Sequence, residues 1–433
     1  MINKIKSPSR IFIGWWTVLF TGILSGMGHG FCGYGLTIFF KDLSADLGLS
    51  RALASLGSGL SKLDGGLESA PTGWLVDKFG PKWIIFIGVC IVGFGLIIMN
   101  FVTKGWVYIV VWGGLIGLGL NLGLVVAIDK LIVTWFMKRR GLAQAVKFSL
   151  ISISGIIIIP IVTWMVITFG WRITCLMWGI LLLAVSPLIL IFVKQKGPEY
   201  YGLNPDGSNS DNKLNQSEVA VTESGDIFDT DIEIDFTLKQ VLKTRSYWLL
   251  VLSWVILTTV TGGIGLHMIP FLTDMGISQL EASGMVTLMV AFVIPARFIG
   301  GFAADYFNKR QIPYVMAAIF SLETIGITAI VLTQSTVSIF VFLILHGLCS
   351  GACTPLLTVT LARYFGIKSF GTIFGILRAC QGPFALMAPV YAGWVYDSTG
   401  SYATAFTLYS FITVAAVLCV CMVRPPTLPV QAL

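Results

Sequence analysis

Gly73-Trp74-Leu75-Val76-Asp77-Lys78-Phe79-Gly80-Pro81-Lys82 closes a long apolar stretch, and 228 residues later Gly301-Phe302-Ala303-Ala304-Asp305-Tyr306-Phe307-Asn308-Lys309-Arg310 closes another. The chemistry of the first copy is local. Gly73 permits close helix contact, Asp77 is placed to cap a neighbouring helix N-terminus, and Lys78 and Lys82 favour an anionic membrane face. The same 228-residue step carries Phe136, before Lys138-Arg139-Arg140, to Tyr364, before Gly366-Ile367-Lys368. An internal repeat of this period predicts two units of like topology.

Composition says where those units live. Only 11% of the 433 residues are charged and 56% are hydrophobic, with a mean hydropathy of +0.86. A soluble protein carries about 25% charged residues, so a soluble enzyme is excluded, and the apolar excess excludes disorder. Crossing a bilayer takes about 20 apolar residues. Twelve such stretches are expected, at 11–40, 51–77, 83–103, 106–136, 141–168, 172–193, 246–272, 279–304, 312–333, 336–362, 371–396 and 402–423. The expected fold is an all-α membrane protein of twelve transmembrane helices in two pseudo-symmetric six-helix bundles. Its divisions are an N-terminal bundle at 1–193, a cytoplasmic linker at 194–245 and a C-terminal bundle at 246–433.

Charge sets the orientation. The net charge is +7, but residues 194–240 hold ten acids against four lysines and carry −6, leaving +13 elsewhere. With the N-terminus inside, nineteen Lys and Arg fall on the cytoplasmic side and four on the outer side (Lys41, Arg51, Lys104 and Arg172). That bias predicts both termini in the cytoplasm, in the cell inner membrane. Residues 203–235 read as an acidic disordered linker, and 236–248 as a short helix on the membrane surface. Residues 1–10 read as a basic anchor rather than a signal peptide. No basic helix with interleaved aromatics is present, so no nucleic-acid partner is expected. Cys349 and Cys353 share a helix face, and small packing residues are the simpler reading than a metal pair.

At residues 73–82 the chain resembles the Gly-x-Leu-x-Asp-Arg-x-Gly-Arg-Lys motif of the major facilitator superfamily, with Lys78 and Pro81 at the two arginine positions. Finer features resemble its monocarboxylate and oxalate:formate transporter branch. They include Tyr34–Phe39 with Gly48-Leu49-Ser50-Arg51, Trp135-Phe136 with Arg139-Arg140-Gly141, Gly170-Trp171-Arg172, Pro198-Glu199 with Gly202, His267–Ser278, and Arg363-Tyr364-Phe365-Gly366. The resemblance implies the major facilitator fold and makes Gly73, Asp77, Lys78, Gly80 and Asp305 a cytoplasmic gate motif.

Charges inside spans are costly, roughly 2.5–3.5 kcal/mol at the bilayer centre, so each is a functional candidate. The basic ones are Lys62, Lys130, Lys147, Arg297 and Arg378; the acidic ones are Asp64, Glu68, Asp129 and Glu323. Arg297, in Val293-Ile294-Pro295-Ala296-Arg297, has no acid within a turn, and a guanidinium binds carboxylate through two parallel hydrogen bonds. It is read as a substrate anchor, the competing reading being an ion pair with another helix. The resemblance supports the anchor, while Val293 stands where many such carriers have Asp. Arg378, with Gln381 one turn on, is read as a substrate contact, against a snorkelling or gate role. Asn121 and His29 complete the substrate-binding set, each weighed against a plain packing role. Asp64 and Glu68 share a helix face and, with His267, are candidates for proton coupling; an ion-pair network of the two acids with Lys62, Lys130 or Lys147 is the alternative.

The surplus of buried cations points to a secondary active transporter of a small organic anion, a mono- or dicarboxylate, by proton-coupled symport or anion exchange. Without a phosphate-binding Gly-x-x-x-x-Gly-Lys loop, no nucleotide drive and no cofactor are expected. The alternatives are an exporter of neutral or cationic molecules and a non-transporting sensor. An enzyme is not expected, because no catalytic motif lies in a span. The expected partners are the anion and the bilayer, with the protein a monomer.

Overall fold

A computed structural model describes residues 12–67, 69–136, 140–201, 203, 236–366 and 370–426. The acidic linker expected at 203–235 lies, apart from Leu203, outside the described residues. No β-strand occurs among the described residues. The helices are α1 (Ile13–His29), running through a π-helical stretch Gly30–Gly35 into α2 (Leu36–Asp46), then α3 (Arg51–Leu67), α4 (Ser69–Phe79) and α5 (Pro81–Met99). Next come α6 (Gly105–Tyr108), α7 (Gly117–Gly119) and α8 (Ala127–Trp135), joined by π-helical turns Ile109–Ile116 and Leu120–Val126, and α9 (Arg140–Phe192). After the linker follow α10 (Leu238–Lys243), α11 (Arg245–Asp274), α12 (Gln279–Tyr306), α13 (Ile312–Thr333), α14 (Thr336–Phe365), α15 (Phe370–Thr399) and α16 (Ala403–Cys421).

By length and composition, nine helices among the described residues suffice to cross a membrane. One of them, within α9, is broken at Gly170 (φ 77°, ψ 165°) into two lengths. The expected spans 11–40 and 51–77 are not among the nine; there the helix runs in the shorter pieces α1–α2 and α3–α4. Large apolar side chains face outward along the helices, among them Trp16, Phe94, Trp164 and Phe411. That surface suits lipid better than water. Within the stretch 236–248, where a short helix is expected, α10 spans Leu238–Lys243; its Val241 and the preceding Phe236 are buried, with the Phe236 N–H bonded to Phe365 O at 3.0 Å.

The 228-residue repeat recurs in geometry. After α2, Leu47, Gly48 and Leu49 donate to the carbonyls of Leu43, Ala45 and Ser44; after α11, Met275, Gly276 and Ile277 donate to those of Phe271, Thr273 and Leu272. Gly48 (φ 61°) and Gly276 (φ 88°) occupy the left-handed position that this helix ending requires. The turn places Asp46 and Asp274 as equivalents, and their partners differ. Asp46 binds Arg172 of its own repeat, Nη2 to Oδ2 at 2.8 Å. In the second repeat the matching turn, at Gly400, presents Tyr402 instead. Asp274 takes its basic partners from the other repeat.

Its partner is Arg51, at the start of α3. The guanidinium holds Asp274 with two bonds (2.6 and 3.1 Å), donates to the Tyr402 hydroxyl at 2.6 Å and stacks 3.5 Å above the Tyr396 ring. Lys41 adds a bond to Asp274 at 2.8 Å. Asp397 accepts the first N–H groups of α3, from Arg51 and Ala52, both at 2.9 Å, so a carboxylate of the second repeat caps a helix of the first. Backbone contact makes this possible: a Cβ on Gly393 would stand 2.6 Å from the carbonyl carbon of Arg51, and one on Gly59 2.8 Å from Leu386 O. Thr37 to Leu266 O (2.8 Å) and Gln279 to Ile38 O (2.8 Å) join α2 to α11 and α12 at the same end. At the other end, among the described residues, the bonds at the helix ends include Arg363 to Phe307 O (2.9 Å), Tyr364 to Lys309 O (2.7 Å) and Ser246 to Arg424 O (2.6 Å), each within the second repeat.

Candidate functional site

Most of the polar residues singled out from the sequence lie on α1, α3, α9, α11, α12 and α15, and Asn121 lies on the π-helical turn Leu120–Val126. Arg297 lies on α12, half-buried, with its Nη1 bonded to the Phe148 carbonyl of α9 and its carbon 5.8 Å from the Phe148 ring. Among the described residues no carboxylate pairs with it. The phenol of Tyr34, from the π-helical stretch after α1, is within its electrostatic reach. The competing reading of an interhelical ion pair is thus not met among the described residues: a neutral carbonyl holds the guanidinium and leaves its charge uncompensated.

Arg378 and Lys62 are enclosed by the bundle yet keep solvent-accessible side chains, so both face water inside it. Arg378 packs over Phe374, 5.2 Å from the ring centre, and feels the field of Asp129. Gln381 accepts from the Trp254 indole at 3.1 Å, which ties α15 to α11. Asn121 donates to Ser61 O and Gly117 O, both at 3.1 Å, and fixes the turn of α3 that carries Lys62. His29 bonds Ser25 O through Nδ1 at 3.1 Å and stands in the fields of Lys147 and Asp129. Those two form their own ion pair, with Lys147 buried.

His267 sits at the closed end, fully buried. Its Nδ1 meets the Tyr402 hydroxyl at 3.0 Å, and its Nε2 meets Ser55 Oγ at 3.1 Å and Pro389 O at 2.8 Å. Every one of its ring nitrogens is engaged in the junction between the repeats. Of the gate motif, Lys78 is exposed, 4.9 Å from the Trp74 ring centre, and Gly80 (φ 81°) starts the turn into α5. Glu68 and the side chains of Asp64, Asp77 and Asp305 lie outside the described residues, as does the surrounding of Gly73. Away from the interior space, Glu323 and His346 form a buried pair at 2.8 Å, and Cys349 and Cys353 approach to 3.5 Å. Among the described residues no cluster of three metal-ligating side chains is present.

Sequence reasoning missed the junction at Arg51, Asp274, Tyr402 and Asp397. A signal was available, since the Gly48 and Gly276 turns already align Asp46 with Asp274, and Arg172 has no basic equivalent beside Tyr402.

The sequence profile of the Major Facilitator Superfamily matches residues 18–356, and the chain belongs to that family. It is 25% identical over 355 residues to monocarboxylate transporter 12 of Rattus norvegicus, covering 79% of this chain and 71% of that protein. It is 20% identical over 405 residues, 90% of each chain, to the uncharacterized MFS-type transporter YcxA of Bacillus subtilis (strain 168). In fold it is similar to a bacterial homolog of the human lysosomal transporter Spinster, crystallised inward-facing and occupied, with a TM-score of 0.66, 15% identity and 94% of each chain covered. The protein is a multi-pass membrane transporter and not an enzyme.

Proposed function

We propose that this chain carries a small organic anion, a mono- or dicarboxylate, across the cytoplasmic membrane by alternating access, with twelve spans and both termini in the cytoplasm. The observation that carries the reading is Arg297, a permanently charged group inside the bundle that no described carboxylate neutralises. An ionised side chain in such a place costs several kcal/mol unless paired, and a carboxylate substrate supplies the pair through two parallel bonds. Arg378, Gln381, Asn121 and His29 are assigned to the same site. The kinship with a protein named for monocarboxylate transport agrees with this chemistry.

The Arg51–Asp274 junction is assigned as the outer gate, so the described state opens toward the cytoplasm. Turnover requires that junction to part and the gate motif at Asp77 and Asp305 to close. His267 is assigned to the outer junction, and proton coupling to Asp64 and Glu68. Uptake of labelled lactate, formate, oxalate, a neutral sugar and an organic cation into proteoliposomes tests the reading. Saturable uptake of the acids alone is expected; uptake of the cation alone overturns it. Acidification or its absence inside the vesicles on adding the acid separates proton symport from anion exchange.

A further inference from the structure

We propose that Lys62 is a second anion contact at the closed end of the site, and that with Arg297 it selects an extended dicarboxylate over a monocarboxylate. The proposal rests on the organic-anion reading above. Three observations carry it. First, Lys62 makes no hydrogen bond or ion pair among the described residues, although it is enclosed by the bundle and its field reaches His267. The contrast with Lys147 is instructive: that interior lysine is given Asp129 as a fixed counter-charge, whereas Lys62 is left facing water. An ammonium kept unpaired inside a bundle is a site for an arriving anion.

Second, its position is held from both sides. Asn121 bonds the carbonyl of Ser61, while α15 lies against Leu63, 3.4 Å from a Cβ built on Gly382. The amine crosses to the other repeat, where its Nζ stands 3.5 Å from a Cβ built on Gly262 of α11. A larger residue at 262 would crowd the space in front of the amine.

Third, the depths differ. Lys62 lies eleven residues along α3 from Arg51, about 16 Å, and Arg297 eighteen residues along α12 from Gln279, about 27 Å. Both counts start at the closed end, so the two cations are offset by roughly 10 Å along the bundle. With that offset an anion that carries a carboxylate at each end can meet one cation with each, whereas a monocarboxylate held by Arg297 leaves Lys62 without a partner, which favours an α,ω-dicarboxylate.

The test uses the full-length protein in proteoliposomes, with labelled lactate, succinate and glutarate, as wild type, Lys62→Gln and Lys62→Arg. Wild type is expected to take up succinate or glutarate at a KM at least threefold below that for lactate. Lys62→Gln is expected to raise the dicarboxylate KM about tenfold and leave lactate KM and maximal rate within twofold, and Lys62→Arg to restore the dicarboxylate KM. An equal loss for all three acids, or no change for the dicarboxylates, overturns the proposal. So does a wild type that carries lactate but neither dicarboxylate, a result that needs no variant and leaves the organic-anion reading standing. If no acid is carried at all, both fall together.

Discussion

Replacing Arg51 by Met removes the central group of the outer junction while keeping much of its bulk. The side chain is 13% exposed and Asp274 22% exposed, so the pair is partly screened. Fully buried charge-assisted bonds contribute about 1.5–3 kcal/mol each, and exposed pairs below about 1 kcal/mol. Two bonds to Asp274, one to Tyr402 and the stacking on Tyr396 therefore sum, after that discount, to about 3 kcal/mol favouring the closed outer end. That is roughly a 100-fold shift in the balance between closed and open forms. Hydrogen exchange reads it directly, because the amides of Arg51 and Ala52 are bonded to Asp397 across the junction. Peptides covering the start of α3 are expected to exchange tens of times faster in Arg51→Met, with α5 and α13 unchanged. The double variant with Asp274→Asn is expected to add little to the single change, because the same contact is already lost. Unchanged exchange at α3, or strictly additive effects, would refute the assignment of this junction as a gate.

Gly393 is where α15 touches the backbone of Arg51, and Gly393→Val adds atoms within 2.6 Å of it. Uptake is expected to fall at least tenfold at normal yield of folded protein, with faster exchange at the start of α3; unaltered uptake removes the contact from the cycle. Asp129→Asn leaves Lys147, 2% exposed, without its counter-charge. A loss of about 3 kcal/mol is expected, visible as a Tm lowered by several degrees in detergent, and Lys147→Met added to it is expected to recover most of the loss.

How far the sequence could be read differs from element to element. The apolar lengths and the repeated Gly-to-Asp turns marked a helical membrane transporter because both are one-dimensional patterns. The pairing of Asp274 with Arg51 was not legible as such, since 223 residues separate them and tertiary contacts such as the backbone approach at Gly393 bring them together. That Arg297 has no acid within a turn was legible, but its carbonyl partner at Phe148 was not, because a carbonyl is present at every position. The face taken by Tyr34 was hidden for another reason: the π-helical stretch Gly30–Gly35 breaks the 3.6-residue phase on which face assignments rest. Lys62 was grouped with the acids beside it in sequence, and only the accessibility of its side chain within the bundle shows it facing water.

The central claim is that Arg297 binds the carboxylate of the substrate. The most direct measurement compares saturable uptake of the transported acid by wild type, Arg297→Lys and Arg297→Ala at equal amounts of folded protein in proteoliposomes. We expect Arg297→Ala to lose at least 100-fold in kcat/KM, from the desolvated charge pair, and Arg297→Lys to keep a fraction through charge without the two parallel bonds. Normal kcat/KM in Arg297→Ala would contradict the account.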